Sequence, residues 1–500
     1  MSDYPDSVAF LGQWGRFQQV VFFLLCASIV PNGFGAFNLV FLTDAPGHRC
    51  SVPDVGLTED WRAAIIPVQQ LSRCSRFRLD VVRNLSAQGL VPGRDVNLTD
   101  LEQEGCVDGW SYSRDVYQST IVSEFDLVCS EQWKLTFIST VFFVGVLLGS
   151  FFSGQLSDRF GRKPVLFLTM GVQMVFTFIQ VFSTSWIMFT VLLFINGLGQ
   201  ISNFVAALVL GTEILTGHVR VLYSSMGACL SFTLGYMMLP GCAYLLRDWT
   251  SLLLALSLPC LAYLPLWWFI PESPRWLLSQ GRVEEAESIV RKAAKWNKVQ
   301  APLVIFQDYT PLASPRFATC TGYYGLSFNT SQLHADPYMS CFISAAVEVP
   351  AYISGWLVLR YFPRRRSICC SLLLQAVSLF LIQLVPQTLP YLSIALEMLA
   401  KYFVTITFSM MFAYIAELYP TLLRNTAVGV CSTVGRLGNC IAPFLITLNT
   451  YVLHLPYIII GTLGCVAALA ALYIPESFGQ PLPETIQQMH KRERWKPPSL

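Results

Sequence analysis

Ten residues, GQLSDRFGRK at 154–163, hold four charges, Asp158, Arg159, Arg162 and Lys163. They lie between two uncharged stretches, Leu135–Leu156 and Pro164–Ser183, each long enough to cross a bilayer. Further charges stand where lipid would surround them, and an ionisable group inside a span marks a functional site by default. Arg436, in STVGRLGNC within the apolar stretch 427–448, can hold a carboxylate in a two-pronged hydrogen-bonded fork. A structural ion pair with Glu348 or Glu397 of a neighbouring stretch is the alternative. Glu397 and Lys401 are four apart on one helix face, the spacing for mutual pairing. Glu213 and Arg220 stand seven apart, as do Glu417 and Arg424. No nucleophile and base fall into a catalytic pattern, and GTEILTGH at 211–218 lacks the lysine and the Ser/Thr of a phosphate-cradling loop. Binding and movement, not covalent chemistry, are expected, and the chain is not expected to be an enzyme.

The elements that carry these residues are membrane spans. Of 500 residues 54% are hydrophobic and 13% charged, against about a quarter charged in a soluble domain, and mean hydropathy is +0.51. Apolar runs of the length that crosses about 30 Å of hydrocarbon recur at 20–42, 135–156, 164–183, 186–212, 221–245 and 250–271. Five more follow at 339–359, 367–385, 391–416, 427–448 and 456–474. The beginning lacks a cleavable secretory pattern, so the first span is expected to act as insertion signal. Basic residues gather on the cytoplasmic side. Arg159, Arg162 and Lys163, the central loop with Arg275, Arg282, Arg291, Lys292 and Lys295, the group Arg360 and Arg364–Arg366, and the tail Lys491–Arg494 are therefore placed inside, with both termini cytoplasmic. Residues 43–134 are then outside. That segment holds the sequons at Asn84 and Asn97 and four cysteines, Cys50, Cys74, Cys106 and Cys129, which form two disulfides in one of three connectivities. The other cysteines lie mostly within or beside spans, as small core fillers. A net charge of +2 argues against nucleic acid and acidic partners, and leaves membrane lipid and a small solute as the partners.

Three landmarks recur at an offset of 204 residues or close to it: Glu213/Arg220 at Glu417/Arg424, FIPES at 269–273 as YIPES at 473–477, and the opening motif, worn, as GWLVLRYFPRRR at 355–366. Two copies of a six-span unit in one orientation are the architecture of the major facilitator transporters. The predicted fold is thus an all-α, polytopic membrane protein with two parallel six-helix repeats. Residues 1–271 form the first bundle, 272–310 a cytoplasmic loop, 311–476 the second bundle and 477–500 a tail. In such a fold Asp158 can meet the positive end of a helix in the other half, while the motif's arginines, Arg159 and Arg162, can pair with Glu213 or Glu417; Arg220 and Arg424 count with them among the gating residues. These bridges would close the cavity to the cytoplasm and break as it opens.

STIVSEFDLVC, FFVGVLLGSFFSGQLSDRFGRK, GQISNFVAALVLGTEIL, WWFIPESPRWL and AELYPTLLRN together resemble the organic ion transporters of the major facilitator superfamily. With AFLGQWGRFQ and SIVPNGF, the resemblance is to the organic cation/carnitine branch and covers almost the whole chain. It implies a plasma-membrane carrier of organic cations and zwitterions such as carnitine or ergothioneine, in some members with sodium. It implies a base at Arg436 in carriers of carboxylate-bearing solutes, and a cavity lined by Gln200, Asn203 and Phe204, the last usually tyrosine in relatives. It implies Asn32 and Gln173 as sodium ligands, although both could simply join helices by hydrogen bonds. Aromatic faces would attract a quaternary ammonium by roughly 0.5–2 kcal/mol each.

One stretch departs from the family. The chain must return to the exterior between about 300 and 338, yet it is broken there by Asp308, Pro311, Pro315 and Arg316. Its longest uncharged part, Phe317–Phe328, makes a helix of roughly 18 Å, too short to span, whereas relatives carry a complete helix ending in a sequence like GYYGLS. The seventh span is therefore read as truncated. Two functions stay open: a transporter crossing there by a short or unwound segment, and a transport-deficient isoform or ligand-binding membrane protein. A third sequon, at Asn329, would carry glycan only if the segment crosses.

Overall fold

The computed structural model describes residues 8–53, 56–66, 74–98, 101–302, 337–385, 390–418, 438, 440–441, 444, 455–473 and 476. Among these, ten helices are long and apolar enough to cross a membrane. They are α1 Arg16–Phe37, continued to Leu42, α2 Trp133–Phe160, α3 Arg162–Gln180, α4 Trp186–Ile214, α5 Ala228–Leu246 and α6 Trp249–Tyr263, continued to Trp268. Then come α7 Pro337–Tyr361, α8 Arg364–Ile382, α9 Pro390–Leu418 and α10 Leu455–Leu472. Each coincides with one of the apolar runs. The run at 427–448 lies outside the described residues apart from four helical positions, and the segment 303–336 lies outside them entirely.

The two groups of helices pack in the same pattern. α4 packs on α2 and α3, and α3 on α6; correspondingly α9 packs on α7 and α8, and α8 on α10. A repeat legible at three sequence landmarks thus recurs as tertiary contacts, as a duplicated bundle requires. α1 lies against α5 at a crossing that only glycine permits. A Cβ on Gly33 would sit 2.1 Å from the Phe232 carbonyl oxygen, and one on Gly235 2.1 Å from that of Val30. The seam between the groups runs along α5 and α7.

The loop between α1 and α2 is not purely helical. It contains two antiparallel pairs of three-residue strands, His48–Cys50 with Trp110–Tyr112 and Ser75–Phe77 with Gln103–Gly105. Strands this short are stabilised from outside the ladder. Cys50 is joined to Cys106 and Cys74 to Cys129, which selects one of the three connectivities. A small core of Leu57, Trp61, Ile65, Phe77 and Val82 lies beneath, each such side chain contributing about 1.5–3 kcal/mol when fully buried. Buried Arg76 is held by Glu104 at 2.9 Å, Asp108 at 2.5 Å and the Ser51 carbonyl at 2.8 Å. Asn84 and Asn97 are both exposed on this loop.

Candidate functional site

The charged motif forms a clasp at one end of the first bundle. α2 stops at Phe160, Gly161 adopts φ +103°, and α3 begins at once. A Cβ at Gly161 would stand 2.5 Å from Glu272 Oε2 and 3.3 Å from the Trp276 ring, so the turn needs glycine on both counts. Glu272 accepts the backbone N–H groups of Arg162 at 3.0 Å and Lys163 at 3.2 Å, satisfying donors that every helix N-terminus leaves free. Burial pushes the Glu272 carboxyl above the usual glutamate range even though these N–H groups act to lower it. Arg162 is buried and forked, Nη2 lying 3.0 Å from Glu213 and Nη1 2.6 Å from Asp158. Arg159 rests 5.6 Å from the Phe160 ring, and Lys163 4.6 Å over Trp267.

A second cluster lies deep between α1, α3 and α4. Asn32 Nδ2 donates to Asn203 Oδ1 at 2.8 Å, Asn203 Nδ2 to the Leu166 carbonyl at 2.9 Å, and Gln200 Nε2 to the Asn32 carbonyl at 2.7 Å. Gln173 completes it: a Cβ on Gly35 would meet Gln173 Nε2 at 3.1 Å and Gln200 Nε2 at 3.4 Å. All four amides are buried, and Asn32 Oδ1 has no hydrogen-bond partner among the described residues. A buried carbonyl oxygen without a donor is costly and is the kind of ligand a hard cation takes. Phe204 lies beside the cluster, edge-on to Phe232 at 6.0 Å.

A third cluster bridges the two bundles. Glu348 on α7, fully buried, accepts from Thr233 of α5 at 2.9 Å and pairs with Lys401 of α9 at 3.2 Å. Lys401 also donates to Ser344 and sits 4.8 Å over the Tyr236 ring.

Residues 103–309 match the family model described as Sugar (and other) transporter, and residues 339–498 that described as Major Facilitator Superfamily. Organic cation/carnitine transporter 2 of Rattus norvegicus is 51% identical, over 98% of this chain and 94% of its own length. The human protein of that name is 50% identical over the same shares, and solute carrier family 22 member 4 of Mus musculus is 50% identical over 98% and 95%. The chain belongs to the organic cation/carnitine transporter family. The fold agrees: the xylose transporter XylE from E. coli, in a partially occluded inward-open conformation, superposes with TM-score 0.61 at 15% identity, over 93% of this chain and all of that one. Relatives and fold are those of major facilitator transporters, multi-pass membrane proteins rather than enzymes.

In this organic cation/carnitine transporter family member, Gln200 and Asn203, nominated for solute, are hydrogen-bonded to Asn32, nominated for sodium, and Gln173, also nominated for sodium, lies against the same cluster at Gly35. Of the expected charge pairs, Arg162 with Glu213 is present. One expectation is corrected, that for Lys401, and one is extended. Asp158 pairs with Arg162, one turn away in its own motif, while the start of the 427–448 span in the other half lies outside the described residues. Lys401 pairs with Glu348 on another helix, while Glu397 accepts from Tyr457 at 3.0 Å. Arg220 is half-buried in the helix Gly217–Leu222. Arg436, Arg424 and Asn329 lie outside the described residues, as does the side chain of Glu417. Thr233, Tyr236 and Ser344 escaped the sequence reading because nothing distinguishes a hydroxyl among helix-forming residues until its buried charged partner is known. Glu272 left a signal that sequence reading noted without a role, the repeated PES.

Proposed function

We propose that the chain is a plasma-membrane secondary transporter of organic cations and zwitterions of the carnitine or ergothioneine class, coupled to sodium and working by alternating access. The disulfide-linked loop lies outside, Asn84 and Asn97 carry glycan, and both termini are cytoplasmic. The division into bundles 1–271 and 311–476, a cytoplasmic loop 272–310 and a tail 477–500 goes with that reading. The carrying observation is the identity of about half to relatives named for organic cation and carnitine transport across nearly their whole length. Arg436 reads the carboxylate, and aromatic rings including Phe204 read the cation. Asn32 and Gln173 supply sodium with uncharged oxygens, a role supported by the unpartnered Asn32 Oδ1. The Arg162–Glu213–Asp158 bridges hold the inner side when it is closed, with Arg159, Arg220, Glu417 and Arg424 in the same layer.

Uptake of labelled carnitine and tetraethylammonium into cells expressing the chain tests this. Saturable carnitine uptake, abolished by Arg436→Ala and made sodium-independent by Asn32→Ala, is the expected result. Sodium-independent uptake in the wild type that Asn32→Ala leaves unchanged would remove the ion. A transport-deficient isoform is the second reading, favoured by a specific observation: the alignment to the rat relative runs to 524 positions, more than the 500 residues of this chain, so that relative carries residues this chain lacks. Surface expression without uptake would establish that reading.

A further inference from the structure

Above the bridging cluster, toward the disulfide-linked loop, the two bundles meet in a layer of aromatic rings. Tyr338, in the first turn of α7, is stacked on Phe41 at the end of the first span, with centroids 5.4 Å apart and planes 15° from parallel. It packs at 5.7 Å against Tyr117 of the loop and edge-on at 5.6 Å against Tyr244 of α5, and its hydroxyl donates to the Val116 carbonyl at 3.3 Å. One side chain of the second bundle thus touches both outer ends of the first bundle's α1–α5 pair and the loop that covers them. Phe41, Tyr117 and Tyr338 are all buried. The carboxylate of Asp44 joins the layer by accepting from the Tyr117 hydroxyl at 2.8 Å. Directly beneath, on the same face of α7, lie Cys341, Ser344 and Glu348, each fully buried. The layer therefore caps the seam that leads down to the bridging cluster.

We infer that this aromatic layer, centred on Tyr338, is the gate on the loop side of the translocation path, and that its rings and Asp44 receive the onium group of an entering solute as it opens. Parting the bundles must pull the Tyr338 ring off Phe41, which exposes two apolar faces to water. An alkylammonium needs no hydrogen bond and is attracted to such faces, so it compensates for the stacking lost. Asp44 adds the opposite charge beside rings that carry none. An anion gains nothing from this surface, so the gate favours cations and the cationic end of a zwitterion. The inference rests on the orientation and transport reading proposed above.

Cys341 is a built-in reporter, a free thiol one turn inward of the lid. Intact cells expressing the full chain are treated with a membrane-impermeant trimethylammonium thiosulfonate, and labelling of surface protein is compared with that in the Cys341→Ser background. Tyr338→Ala should raise the Cys341-dependent labelling rate about tenfold or more, since the only cover removed is one stacked ring, and Tyr338→Phe should leave it near wild type. Phe41→Ala, which removes the opposing ring, should reproduce the effect and serves if Tyr338→Ala does not reach the surface. Equal rates in wild type and in either alanine variant overturn the gate. Asp44→Asn should raise KM for tetraethylammonium about threefold with Vmax unchanged, the loss of one weak charge contact; an unchanged KM overturns the onium site. The labelling arm needs no uptake, so failure of the gate and failure of the transport reading give different results.

Discussion

Glu348 and Lys401 are 53 positions apart in sequence and 3.2 Å apart in space, with almost no exposed surface on either side chain. Such a pair is demanding, because removing two charges from water costs several kcal/mol each and only close geometry and extra hydrogen bonds compensate. Thr233 and Ser344 supply those bonds. Lys401→Met would leave the Glu348 carboxylate buried beside a thioether and should destabilise the protein by about 3–5 kcal/mol. The double variant Lys401→Met/Glu348→Gln should recover more than half, because the amide still accepts from Thr233. Thermal unfolding of detergent-solubilised protein reads both, and a double variant no better than the single would refute the pairing. The sequence made each residue conspicuous as a charge within a span, but not their partnership. Glu397, four residues before Lys401, offered the obvious local neighbour, and only the tertiary fold turns it toward Tyr457 instead. Asn32, Gln173, Gln200 and Asn203 were legible one by one through resemblance; that they share one cluster depends on the close approach of α1 to α3 and α4 at Gly35, where a Cβ would meet Gln173 and Gln200.

At the level of elements, the spans were readable because lipid imposes a length and an apolar surface on every crossing helix. The ends of those helices were harder. FIPES and YIPES were visible as a repeat, yet what repeats is a cap. Glu272 accepts from the first N–H groups of α3, and Glu476 accepts from Arg364 at 2.8 Å and Arg365 at 3.1 Å at the start of α8. Each glutamate sits more than a hundred residues from the helix it caps, beyond the reach of any local capping pattern. Glu272→Ala and Glu476→Ala should each cost about 0.5–2 kcal/mol, the range for a lost N-cap. Because the two sites share no partner, their effects should add. Glu272→Gln, which keeps an acceptor but loses the charge, should cost less than Glu272→Ala. Thermal unfolding of the three single variants and the double checks this ordering, and a double variant no worse than either single would show that the caps do not act independently. The short strands of the loop were not foreseen, since three-residue ladders held by disulfides and a small core leave too little alternation to read.

The whole molecule imposes a constraint on the segment whose sequence breaks the family pattern. Asn297, at the end of the helix Val283–Asn297, donates to the Leu11 carbonyl and to Gln18, so the chain near residue 300 lies at the end of the molecule where α1 begins. Tyr338 packs on Phe41 and Val116, at the end where α1 stops and the disulfide-linked loop sits. The described chain thus leaves off near one end of the molecule and resumes near the other, although no part of the sequence between reads as a full apolar helix. The 34 intervening residues are ample: a helix of that length would extend roughly 50 Å at 1.5 Å per residue, more than the ~30 Å of hydrocarbon. What the sequence denies is not length but apolarity, with Asp308 and Arg316 on the way. The consequence is a topological prediction. Asn329 lies nine residues before Tyr338 in the sequence and, on the topology proposed above, should meet the glycosylating machinery together with Asn84 and Asn97. Glycosidase treatment should shift the wild type by three glycans and Asn329→Gln by two, while the triple substitution shows no shift. A wild type that shifts by two, identically to Asn329→Gln, would place residue 329 where the glycosylating machinery cannot reach it.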